Sequence, residues 1–126
     1  MDDVVKDVPA AWLRILSKPM KNLFTPVSDK GDGEVFEKIL EVGGVRIERI
    51  VSHGHTSPAS GWYDQDEDEW VLVLRGSGKI LFQDGSERLL SAGDHLHISA
   101  HQKHKVTWTD PVAPTFWLAV FFPRSA

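Results

Sequence analysis

The chain has 126 residues, enough for one domain with its own core, and its apolar and charged fractions are those of an ordinary globular protein. A net charge of -4 with no visible basic stripe argues against nucleic-acid binding, and the absence of cysteine excludes disulfides, thiolate catalysis and Cys-ligated zinc. No apolar run approaches the ~20 residues that span a bilayer, and "MDDVVKDVPAAWLRIL" opens acidic without the basic region of a secretory signal, so a cytoplasmic protein without membrane attachment is expected.

Residues 1–30 read as an N-terminal arm and 31–126 as the single domain. In the arm, "PAAWLRILSKPM" suits a short helix, with Trp12, Ile15 and Leu16 on one side and Pro19 as its stop. "SDKGDGE" is a loop by composition. From there the pattern is strand. "VFEKILEV" turns through Gly43-Gly44 into "VRIERIVS", a hairpin signature, and "EWVLVLRG" is apolar on both faces. "KILFQ" turns through Asp84-Gly85 into "SERLL". "GDHLHIS", "KHKVTWT" and "TFWLAVFF" complete a set of about eight strands, predicting an antiparallel sandwich or small barrel. The last strand is apolar on both faces, which points to a homodimer that covers its outer side.

One stretch stands out. Asp64, Asp66, Glu67, Asp68 and Glu69 crowd against the apolar strand "WVLVL". Asp66, Glu67 and Asp68 read most simply as a solvated turn. Glu69 opens a strand that must be buried, where a lone carboxylate is costly. It calls for a partner: a cation such as Arg75 or Lys79, a metal, or a ligand.

Glu69 followed by Gly76, and Gly93 followed by "HLHISAHQKHKV", resemble the two motifs of the cupin superfamily, G-x5-H-x-H-x(3,4)-E-x6-G and G-x5-P-x-G-x2-H-x3-N. The resemblance covers roughly residues 36–122. It implies an all-β, antiparallel jelly-roll barrel, here with a short N-terminal arm or helix. It also implies a divalent metal held by the histidines and glutamate of the motifs. Residue by residue, Glu69 takes the place of the motif glutamate and His104 that of the second motif's histidine. Ser99, His101 and Trp108 stand where proline, glycine and asparagine are usual. The first motif's histidines are missing. Their positions fall on Trp62 and Asp64, or on Tyr63 and Gln65 with the shorter spacing, while the H-x-H at His53 and His55 comes some ten residues too early.

Two functions follow from the resemblance. In one, Asp64, Glu69 and His104 hold one divalent ion (Zn, Ni, Mn or Fe), with Tyr63, His101 and Trp108 around a small-molecule ligand; no reaction is assigned. In the other, the same pocket is a metal-free binding or sensor module.

Overall fold

The computed structural model describes residues 22–26 and 34–124. The expected helix in "PAAWLRILSKPM" and most of the arm lie outside them. The described residues hold eight strands and no helix, and so none that is long and apolar enough to cross a membrane. They are β1 (Val35–Val42), β2 (Val45–Ser52), β3 (Asp68–Arg75), β4 (Ser77–Phe82), β5 (Glu87–Ser91), β6 (His95–Ile98), β7 (His104–Thr109) and β8 (Thr115–Phe122).

All pairings are antiparallel, in a five-stranded sheet ordered β1-β2-β8-β3-β6 and a three-stranded sheet ordered β5-β4-β7. The hydrogen-bond ladder does not run unbroken around one closed barrel. Instead the connection between β2 and β3 returns to pair with β7, through bridges Ser57–Val106 and Tyr63–His104. The β1–β2 hairpin turns on Gly43 and Gly44, at φ 57° and 83°, which suits the twist of a two-residue turn.

The sheets meet over Val71 and Val73 of β3, Ile80 and Phe82 of β4, Leu90 of β5, Ile98 of β6 and Trp117 of β8. Close packing here depends on one missing side chain. A Cβ on Gly78 would lie 2.3 Å from the Trp117 ring, so only glycine lets the indole rest against β4.

The mixed pattern of β2 resolves into two faces. Arg46, Glu48 and Ile50 line an interior cavity, whereas Arg49 lies on the outer face. Arg49 is nonetheless buried, because residues 22–26 cross over it: its guanidinium donates to the carbonyls of Leu23 at 2.9 Å and Thr25 at 2.7 Å and to Glu37 at 2.6 Å. Phe24 packs on Phe116, with the Arg75 guanidinium 4.7 Å from its ring. One end of the outer face of β8 is thus covered by the chain itself. Leu40 and Val42, farther along that face, remain 49% and 61% exposed.

Candidate functional site

A cavity of about 240 Å3 opens between the sheets. Its apolar wall includes Phe36, Ile50, Val71, Ile80, Trp117 and Phe121. Its polar groups are Glu34, Arg46, Glu48, Ser57, Tyr63, Gln65, Glu69 and His104. This mix of apolar wall and a few converging polar groups is that of a small-molecule site, at or below the small end of the usual range.

Glu69 and His104 meet there. Both are buried, and His104 Nε2 lies 3.5 Å from Glu69 Oε1. The other ring nitrogen, Nδ1, lies 2.8 Å from the carbonyl of Gln102. A carbonyl can only accept, so Nδ1 carries a hydrogen. Nε2 then faces a carboxylate, and it can favour that neighbour only as part of an imidazolium. Burial pulls the His104 pKa down, but the Glu69 hydrogen bond, the Gln102 carbonyl and the Glu69 charge together leave it raised above the ordinary value. Gln65 Nε2 also donates to Glu69 Oε1, at 2.9 Å.

Backbone pairing sets this geometry. Tyr63 and His104 exchange hydrogen bonds of 2.8 and 3.2 Å, which bring the phenol ring 5.5 Å from the imidazole, centre to centre. Alternate residues of an extended segment face opposite ways. Tyr63 and Gln65 therefore enter the cavity, and Asp64 does not line it. Burial raises the Tyr63 pKa, a hydrogen bond with Ser57 opposes this, and the charges of Glu34 and Glu69 add to the rise, so the phenol stays neutral.

The structure divides the six candidate residues. Glu69, His104 and Tyr63 converge in the cavity. Asp64 stands apart from Glu69 and His104, with its Oδ1 2.7 Å from His101 Nδ1. His101 is in the turn before β7, at φ 63°, a left-handed conformation that glycine adopts more cheaply. Its second nitrogen lies 3.2 Å from Asp66, and its backbone N–H donates to the Gln65 carbonyl at 2.8 Å. His101 thus holds the Gln65 segment from outside. Trp108 is carried away from the cavity by a bulge. Val106 pairs with Ile80 and Trp108 with Lys79, so two steps on β7 oppose one on β4 and the facing reverses.

The other assignments also sort out. Neither Arg75 nor Lys79 meets Glu69, since Arg75 lies over Phe24 and Lys79 Nζ is 3.6 Å from Glu87. Glu67 and Asp68 are not a solvated turn. Glu67 accepts from Arg46 at 3.0 Å. Asp68 is 3% exposed, accepts from the Ala100 N–H, and lies 2.9 Å from His97 Nε2. The loop that begins near His53 and His55 does return to the cavity, but it delivers Ser57 and not these histidines. Sequence reading missed Arg46, Glu48 and Gln65 as cavity residues. The signal for Gln65 was the shorter motif spacing, and for the β2 pair the i, i+2 period.

The chain belongs to the cupin family: the family model of the cupin domain matches residues 44–121. It is 43% identical to a protein of Ralstonia eutropha JMP134 named "putative mannose-6-phosphate isomerase", whose crystal structure superposes with a TM-score of 0.77 over 84% of this chain and 99% of that one. The TT1209 protein of Thermus thermophilus is 17% identical, with a TM-score of 0.68 over 84% of this chain and 98% of its own. A cupin superfamily protein of Desulfitobacterium hafniense DCB-2, also 17% identical, gives 0.63 over 77% and 84%. These last two share the fold. No curated protein matches the chain.

The backbone of His101 generates a prediction. His101→Ala keeps the left-handed strain and loses both aspartates, whereas His101→Gly loses the aspartates but removes the strain. In chemical denaturation His101→Gly should be more stable than His101→Ala by about 1 kcal/mol. Equal stabilities would mean that the turn is not held left-handed.

Proposed function

We propose that this cupin is a metal-independent binding protein for a small organic molecule, held in the cavity against Glu69, His104 and Tyr63. One observation carries the reading. Tyr63 and Gln65, which the shorter motif spacing puts at the places of the first motif's two histidines, are the pair that lines the cavity.

The donor set does not fit the family's divalent metal. Among the described residues no group of three His, Cys, Asp or Glu side chains could hold an ion. Glu69 and His104 are two such groups, but the third expected, Asp64, is engaged with His101 outside. The cavity replaces the missing imidazoles with a neutral phenol and an amide whose NH2 is turned to Glu69, both weak ligands for Zn, Ni, Mn or Fe.

The isomerase named for the Ralstonia relative acts on a phosphosugar, and the cavity here is poorly suited to a phosphate dianion. Arg46, the one Lys or Arg among the described residues that line it, is already engaged by Glu48 at 2.8 Å and Glu67 at 3.0 Å.

Elemental analysis tests the proposal. The purified wild type, after incubation with each of these four metals and desalting, is expected to retain far less than one equivalent, and His104→Ala to retain the same. One equivalent in the wild type that is lost in His104→Ala would overturn the reading.

We propose in addition that two chains pair through the outer face of the five-stranded sheet. What supports this is the exposure of Leu40 and Val42 on edge strand β1, in register with Ile47 and Val45 of β2. Sedimentation equilibrium should give twice the chain mass for the wild type and a lower mass for Val42→Glu. A wild-type monomer at tens of micromolar would contradict the pairing.

A further inference from the structure

We propose that the cavity's ligand is an organic cation: a small ammonium compound whose charged nitrogen lies against Glu69 and whose apolar body lies on the wall formed by Phe36, Ile50, Val71 and Trp117. This rests on the metal-independent reading and adds the class of ligand.

The first observation is an unused acceptor. Glu69 is 8% exposed, yet both of its polar contacts with described residues, Gln65 Nε2 and His104 Nε2, fall on Oε1. Among the described residues Oε2 receives no hydrogen bond. Nor is it sealed away, since no fully enclosed side-chain oxygen or nitrogen there lacks a partner. A carboxylate oxygen of a residue that lines the cavity, open enough to be touched and otherwise unsatisfied, awaits a donor.

The second observation is the charge balance. Glu34, Glu48 and Glu69 line the cavity, against Arg46 and His104. Arg46 is shared between Glu48 and Glu67, and its guanidinium carbon also lies 4.2 Å from the Phe121 ring centre. Among the described residues no Lys or Arg pairs with Glu34, and Ser52 Oγ donates to it. Carboxylates are therefore in excess even with His104 charged. The charges of Glu34 and Glu69 both act on the Tyr63 hydroxyl, so one region of the cavity feels the two together.

Size and surface complete the argument. A cavity of about 240 Å3 suits a molecule smaller than a typical drug. Aromatic faces beside a carboxylate favour an ammonium over a neutral hydroxyl, because the ring quadrupole attracts a cation. An anion would meet Glu34 and Glu69 with no unengaged cation among the described residues to offset them.

Calorimetry with three probes on one ring tests this: benzylammonium, benzyl alcohol and benzoate. Benzylammonium should bind at least about tenfold more tightly than benzyl alcohol, a difference of about 1.4 kcal/mol, and benzoate should bind least. Glu69→Gln should remove most of that preference. Glu34→Gln should reduce the preference in part, and it serves if Glu69→Gln does not fold. Benzyl alcohol or benzoate binding as tightly as the ammonium would overturn the cation while leaving a metal-independent receptor in place. No binding by any of the three would count against both. An unchanged preference in folded Glu69→Gln would overturn the role of its carboxylate.

Discussion

The interior of this protein is organised around one buried contact, that of Glu69 with His104. Two ionisable groups withdrawn from water are costly unless each is held by further partners. Here the partners come from three directions. The Gln102 carbonyl fixes the imidazole, the Gln65 amide steadies the carboxylate, and the Tyr63–His104 bridge holds the loop beside them. Removing one member of such a pair costs on the order of 3–5 kcal/mol, because the other is left charged and alone. The turn around His101 belongs to the same construction, since its N–H holds the carbonyl of Gln65.

A second ionic group lies on the same cavity wall. Arg46 and Glu48 face inward from β2, and Glu67 reaches Arg46 from the acidic stretch before β3. Each partly exposed pair contributes little, about 1 kcal/mol or less. Their effect is on the cavity's character: they engage the one guanidinium that the described residues give it and leave the carboxylates in the majority. The acidic stretch is therefore not one feature. Asp64 and Asp66 hold His101, Glu67 engages Arg46, Asp68 ties β3 to the turn after β6, and Glu69 enters the cavity.

Much of the fold was legible because its signals are local. Gly43-Gly44 and Asp84-Gly85 mark tight turns, and the eight apolar runs became eight strands. Membership of the cupin family rested on Glu69, Gly76, Gly93 and His104, and the family match bears it out. The site was less legible for two physical reasons. A one-residue choice of register decides which side of an extended segment faces in, and the carboxylate of Asp64 drew attention away from Gln65. The bulge on β7 depends on pairing with β4, so the Val106–Trp108 period alone could not reveal that Trp108 turns away.

Under the proposed function, an imidazolium-carboxylate pair stands where the family's metal would. Nitrogen-resolved NMR of the His104 ring across a pH series tests it most directly. Both ring nitrogens should carry hydrogen up to a midpoint above the ordinary value of about 6.5, and Glu69→Gln should lower this midpoint. A ring with a bare Nε2 and a midpoint at or below that value would contradict it.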